Sequence, residues 1–471
     1  MEIPEYAPKK WHLSRRFAAA FFLAANLVVW CAPSGESLRV AQGGRHLETS
    51  SGKPFFYLGD TAWQLFHRLN RQEAELYLSN RAAKGFTVIQ AVLLAELDGL
   101  STPNANGHFA LEDKNPDRPD ANYFAHADWV ISRANELGLV MGLLPTWGKY
   151  WKQGRDRIFE RGNAYRYGLF LGKRYRNSRV IWILGGDQNV ENDEERATID
   201  ALARGLREGD GGSHLITFHP RGPGQSSLAL HGAPWLDFNM TQSSHGARDH
   251  DTGLFAEHDR RLTPPKPTLD GEPRYETIPV GFYLQNHSRL DRFDDYDVRQ
   301  AAYWSVLAGA CGHTYGHNSV WQMWQPGRKA ILWASIGWRE ALDHPGAFQM
   351  GHLRRLFEAR PFWKLAPDQA LILSGPREGG AKIRAARATD STFLVVYTPR
   401  GESFTLDKGT LPGRRLKESW FDPRYGVAHV IHRTDNQGFQ TYTPPSSGRG
   451  QDWVLIVEDE GAGLRPLPGM E

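Results

Sequence analysis

The sequence predicts an α/β chain: a (β/α)8 barrel of the TIM type followed by an all-β sandwich. Three observations carry this expectation. Between residues 55 and 315 short apolar runs alternate with amphipathic helical stretches, the pattern of a parallel sheet covered by helices. Eight such runs can be counted, each followed by polar or aromatic residues, which is where a barrel of this kind carries its site. Beyond Pro361 and Pro367 the period falls to two, with Gly, Pro and Asp turns between short β segments. The expected division is an export signal over 1–35, a barrel over 36–365 and a sandwich over 366–471. An open doubly wound sheet is the rival for the middle part, but no Gly-rich phosphate loop follows its first strand.

Short extended segments over 38–40 and 46–48 come first, with Ser51-Gly52-Lys53 as a turn. Strand one is expected over 55–58, running into Gly59-Asp60-Thr61. Its helix follows Asn70, an N-cap type, with Glu73 placed to reach back, and stops at Gly85. Strand two spans 87–94, and a loop rich in Asn, Gly and Pro (98–120) leads to a helix over 123–137. Strand three spans 139–145, ahead of Thr146-Trp147, and a helix over 164–176 precedes strand four at 180–184. The segment 194–207 is amphipathic and stops at a glycine cluster. Strands five (215–218), six (238–242) and seven (267–270) follow, then a helix over 298–308 and strand eight at 313–315. The sandwich strands are expected at 370–373, 382–386, 392–397, 403–406, 416–421, 427–431, 439–442 and 452–457.

Composition narrows the function class. Net charge is +3, from 56 basic and 53 acidic residues, which argues for neither nucleic acid nor an anionic membrane as partner. Aromatics reach 12%, with 16 Trp, and their flat apolar faces suit sugar rings. Lys9, Lys10, Arg15 and Arg16 precede an apolar run over 17–30 and then small residues, the layout of a secretory signal. That run is shorter than the roughly 20 apolar residues a membrane span needs. Export to the periplasm or outside is therefore expected, with no integral span in the mature chain. Cys31 raises lipoprotein anchoring, which the bulky Trp30 beside it disfavours. Without Cys31 only Cys311 remains, so no intramolecular disulfide is expected.

Asp187 and Glu272 are the sharpest chemical signal. Each is a carboxylate just past a strand, the fourth and the seventh. Two carboxyls flanking a glycosidic bond, one protonated and one ionised, are the equipment of a glycosidase. Asp60, Trp63, Trp147, His219 and Gln242 end other strands and are candidate substrate contacts. In the stretch His313-Thr314-Tyr315-Gly316-His317-Asn318, the residues His313, Tyr315, His317 and Asn318 are candidates for binding sugar hydroxyls. Two His four apart can hold a metal on a helix, but Gly316 and the β context argue against one; no metal or cofactor is expected. The partner is an oligo- or polysaccharide. Two other classes compete: a glycan-binding, adhesive protein on a decayed barrel, and a polysaccharide lyase using His313 or Tyr315 as base.

Five motifs in order carry a family resemblance: Gly59-Asp60-Thr61-Ala62-Trp63, Gly185-Gly186-Asp187-Gln188-Asn189, Asp270-Gly271-Glu272-Pro273, Gly316-His317-Asn318 and Trp420-Phe421-Asp422-Pro423-Arg424-Tyr425-Gly426. With them the chain resembles glycoside hydrolase family 140, the apiosidase-type enzymes, in which a barrel precedes a C-terminal domain labelled collagen-binding. The resemblance covers nearly the whole chain after the signal. It implies hydrolysis of apiosyl linkages in plant pectin of the rhamnogalacturonan II type. It further implies an acid–base Asp at Asp187 and a nucleophilic Glu at Glu272, with retention expected from that placement. The wider barrel-glycosidase clan places an Asn-Glu pair at the strand-four position, where this chain has Gly186-Asp187. Nothing in the residues themselves argues for collagen.

Overall fold

A computed structural model describes residues 36–470; the export signal expected over 1–35 lies outside the described residues. A small antiparallel sheet (Leu38–Val40, Leu47–Thr49, Pro54–Phe55) leads into the barrel. The barrel strands are β1 (Tyr57–Thr61), β2 (Val88–Val92), β3 (Val140–Leu144), β4 (Val180–Gly185), β5 (Ile216–His219), β6 (Asn239–Gln242), β7 (Thr268–Asp270) and β8 (Gly312–Tyr315). They pair in parallel in the order β5-β4-β3-β2-β1-β8-β7-β6, so the last strand returns to the first. Closure between β5 and β6 runs through the Asp237 N–H to the Ile216 carbonyl (2.9 Å) and Thr217 Oγ1 to the Phe238 carbonyl (2.7 Å). The expected fold class is therefore the observed one.

The covering helices are α1 (Arg71–Ala83), α2 (Ala121–Glu136), α3 (Arg161–Tyr175), α4 (Asp193–Asp210), α5 (Gly253–Arg260), α6 (Asp295–Leu307) and α7 (Pro345–Ala359). Their ends follow local chemistry. Asn70 accepts from the Glu73 N–H at 3.0 Å while Glu73 Oε2 accepts from the Asn70 N–H at 3.0 Å, a reciprocal cap for α1. Asn192 Oδ1 accepts the Glu195 N–H at 3.0 Å to cap α4, and Gly211, at φ +72°, ends it in a left-handed turn. Helices α3 and α4 approach through glycines spaced four apart on each. A Cβ on Gly168 would sit 2.5 Å from the Leu202 carbonyl oxygen, and one on Gly172 2.5 Å from that of Leu206. This tight pair flanks β4, which carries Asp187.

The C-terminal part has a six-stranded antiparallel sheet and a three-stranded one. Its two central strands, Phe393–Thr398 and Trp453–Asp459, are apolar on both faces. Leu394, Val396, Leu455 and Val457 meet Phe404, Trp420 and Tyr442 inside the sandwich. Val395, Tyr397, Val454 and Ile456 point the other way and join the barrel core. One expected strand differs: 370–373 begins as a 3₁₀ turn (Gln369–Leu371), and pairing starts only at Ile372–Ser374. The chain crosses there between sheets, and Gln369 bonds to the backbone of Ile383 (2.6 Å) instead of extending. Among the described residues no helix is long and apolar enough to cross a membrane.

Candidate active site

A cavity of about 440 Å³ opens at the C-terminal ends of the barrel strands, and Asp187 and Glu272 both line it. Its position is set by the backbone at the end of β4. Gly185, Gly186 and Asp187 all hold positive φ (90°, 89° and 58°), turning the chain sharply at the sheet rim. Gly186 must be glycine: a Cβ there would sit 2.9 Å from Gly148 N and 3.1 Å from Trp147 Cα. The Gly148 N–H in turn donates to the Gly186 carbonyl at 2.9 Å. The β3 and β4 loops are thereby locked together.

The Asp187 N–H donates to His219 Nδ1 at 3.2 Å, so that nitrogen is the acceptor and a neutral His219 carries its proton on Nε2. His219 Nε2 lies 3.0 Å from Glu272 Oε2, though its N–H is aimed off the oxygen, so the contact is chiefly electrostatic. His245 Nε2 lies 3.2 Å from the other oxygen, Oε1. Burial alone would raise the Glu272 pKa, but His219 and His245 outweigh it and bring the carboxyl down to about 2. Asp187 goes the other way. Burial, then the charge of Glu272, push it up to about 7 against the opposing pull of His219, Arg221 and a hydrogen bond from Gln242. One carboxyl is thus held ionised and its neighbour is protonated in part at neutral pH.

Trp63 and Trp147 form one wall, ring centroids 5.5 Å apart, and Trp63 also meets His219 edge-on at 5.5 Å. Phe282 and Tyr283, from the loop after β7, form another. Ile331 and Leu332, after β8, add to the lining, and all residues that line the cavity belong to the barrel part. Among the described residues no group of three or more His, Cys, Asp or Glu side chains is arranged to hold a metal ion.

Of the residues singled out in the sequence, the structure brings Asp187, Glu272, Trp63, Trp147 and Gln242 to the cavity, with His219 behind Glu272. Five others do not line the cavity. Asp60 is fully buried against Tyr77 Oη (2.5 Å) and Arg81 Nε (2.7 Å) of α1. His313 is buried, and burial pushes its pKa down to about 3, so it stays neutral. Tyr315 Oη donates to Glu276 at 2.5 Å. His317 Nδ1 accepts the Ser319 N–H at 3.0 Å, and Asn318 Nδ2 donates to the Leu332 carbonyl at 2.8 Å. These last two shape the loop that brings Leu332 to the cavity. His313 and Tyr315, the candidate bases of the lyase reading, thus lie outside the cavity lining. Arg274, two residues past Glu272, turns to Gln300 (2.7 Å) and the His250 carbonyl (2.5 Å), so the cations facing the Glu272 carboxyl are not guanidinium but the two imidazoles, where protonated.

Sequence reasoning passed over Glu96, Arg221, His245 and Tyr275, which also line the cavity. Glu96 stands two residues past the apolar run of strand two, a signal of the same kind as the one that located Asp187. His245 follows strand six at a similar distance.

The residues 41–364 match the family described as "Apiosidase-like, catalytic domain". Residues 366–458 match the one described as "Putative collagen-binding domain of a collagenase". A search of curated proteins gives no match. Among solved structures, a protein titled glycoside hydrolase is 35% identical, with a TM-score of 0.83 over 90% of this chain and 97% of its own. A glycoside hydrolase family 5 protein from Bacteroides vulgatus is 32% identical, with a TM-score of 0.83 over 92% of this chain and 96% of its own. The barrel, the carboxyl pair at its rim and these likenesses agree: the chain is a glycoside hydrolase and belongs to the apiosidase-like family.

Proposed function

We propose that this hydrolase releases apiosyl units from pectic glycans by a retaining mechanism, with Asp187 as acid–base and Glu272 as nucleophile. The observation that carries the reading is the opposed electrostatics of two carboxyls in one cavity, about 7 for Asp187 and about 2 for Glu272. A Glu272 oxygen attacks the anomeric carbon as the glycosidic C–O bond breaks, and the leaving oxygen takes the Asp187 proton. The resulting Asp187 carboxylate then removes a proton from water. The water oxygen displaces Glu272 from the anomeric carbon, and both carboxyls return to their starting state. The aromatic wall of Trp63 and Trp147 supports a sugar ring as substrate.

The family likeness supports apiose as the sugar, the resemblance carried by the five sequence motifs supports pectin as its source, and the basic and apolar segments of 1–35 support export. Incubation with rhamnogalacturonan II fragments and with a panel of aryl glycosides tests the substrate. Free apiose from the fragments is the expected product; release of other sugars alone would reassign it. N-terminal sequencing of the mature protein from the native host should start near residue 35; an intact start in the cytoplasm would count against export.

A further inference from the structure

Glu96 lines the same cavity as Asp187 and Glu272, yet the two-carboxyl mechanism gives it no task. Its backbone is pinned from the β3 loop: Lys149 Nζ donates to the Glu96 carbonyl at 2.6 Å, and Tyr150 Oη to that of Ala95 at 3.0 Å. Among the described residues its carboxyl has neither a hydrogen-bond donor nor an ion-pair partner; Lys149, the nearby cation, gives its proton to the backbone oxygen instead. Burial, then the charge of Asp187, push that carboxyl up to about 7, with Lys149 opposing. A group placed firmly and left unpartnered is tolerated while water fills the cavity. Once a substrate displaces that water, an unpaired carboxyl is costly unless the substrate supplies donors.

Sugar hydroxyls are such donors, and two neighbouring ones match the two oxygens of a carboxyl group. The Trp63 and Trp147 walls cannot do this, since an indole offers an apolar face and an N–H but no acceptor. Glu96 feels the charges of both Asp187 and Glu272, the groups proposed to flank the anomeric carbon. All three line one cavity, so a sugar held between Asp187 and Glu272 lies in the space that Glu96 also faces.

We infer that Glu96 is a specificity-determining residue, accepting hydrogen bonds from adjacent hydroxyls of the glycosyl unit that is transferred. This rests on the glycosidase reading of the same cavity. A site built around such bonds discriminates far more strongly against a substrate lacking the hydroxyl than an apolar wall does.

The test compares wild type, Glu96→Ala and Glu96→Gln on both anomers of 4-nitrophenyl D-apiofuranoside and on their monodeoxy analogues, with circular dichroism to check folding. Glu96→Ala should lose about 10- to 100-fold in kcat/KM on the parent glycoside. Glu96→Gln, which keeps an acceptor, should lose less. On the analogue lacking the contacted hydroxyl, wild type and Glu96→Ala should be nearly equal, because the partner is already gone. Equal losses on the parent and on every deoxy analogue would overturn the proposal, since that is what a merely structural role produces. Wild-type turnover with both variants within threefold of it would also overturn it, leaving the function standing. No wild-type turnover on either anomer or on pectic fragments would overturn the apiosidase reading itself, and this inference with it. If Glu96→Ala fails to fold, the near-isosteric Gln variant carries the same comparison.

Discussion

Asp187 and Glu272 carry the same functional group, and their surroundings give them opposite tasks. Glu272 sits between two imidazoles, while Asp187 faces the Glu272 charge in a partly dehydrated corner. With Asp187 up at about 7, its proton is lost as pH rises through neutrality, so kcat/KM should fall on the alkaline side with an apparent pKa near 7. A profile flat to pH 9 would remove Asp187 as the proton donor. The same shift has a stability consequence whose sign is fixed. A carboxyl raised in the folded state binds its proton there over a range in which the unfolded chain has released it. Stability is therefore lost as pH climbs from about 4 to about 7. Asp187→Asn should be more stable than wild type at pH 8 by about 2 kcal/mol, with little difference at pH 4, in denaturant titrations at the two values. Glu272 works in reverse: its depressed pKa adds stability above the ordinary carboxylate range, lost as pH falls towards 2.

At the scale of an element, the decisive unit is the turn at the end of β4. Gly186→Ala would force a Cβ against Gly148 N and Trp147 Cα and strain a backbone at φ 89°. Such a variant should keep its fold, judged by circular dichroism, yet lose at least about 100-fold in kcat, because a displacement of roughly 1 Å at the acid is enough. Retained kcat would mean that the turn does not place Asp187. This unit was legible in the sequence, as were the eight strands, the caps of α1 and the glycine stop of α4, because they depend on neighbours in the chain. What escaped depends on strand parity and on partners far away. Tyr57 points into the barrel, where its hydroxyl meets Gln90 at 3.0 Å. Asp60, three residues on, has the opposite parity and meets Arg81 outside it. Read as a strand-end acid, Asp60 looks like Asp187; only the placement of α1 separates them. Glu96 was hidden by the opposite effect, an informative strand end absorbed into a long loop.

Across the whole molecule, the sandwich is bound to the barrel by a shared core and by buried charge. Tyr397 stacks on Tyr303 of α6 with centroids 4.8 Å apart, and Arg299 of α6 meets Asp452 at 2.7 Å with both side chains buried. Arg384 reaches Asp251 and Glu257, each at 2.6 Å. None of these contacts touches the cavity; they brace α5 and α6 against the sandwich. Arg299→Ala would strand Asp452 without its cation and should cost about 3–5 kcal/mol in denaturant titrations, with kcat at low temperature little changed. A chain ending near Pro361 would bare Tyr303, which stacks on Tyr397, to water and is expected to be insoluble. A soluble, fully active truncation would show that the two parts are independent.

The central claim, Asp187 as acid and Glu272 as nucleophile in one retaining site, is tested most directly by azide rescue of the two alanine variants, with the anomeric configuration of the product read by NMR. Asp187→Ala should still cleave substrates with activated leaving groups, and azide should give a glycosyl azide of retained configuration. Glu272→Ala should be inactive on all substrates until azide enters the vacated space and gives the inverted product. The reverse assignment of products would exchange the roles, and a wild-type hydrolysis product of inverted configuration would contradict the mechanism.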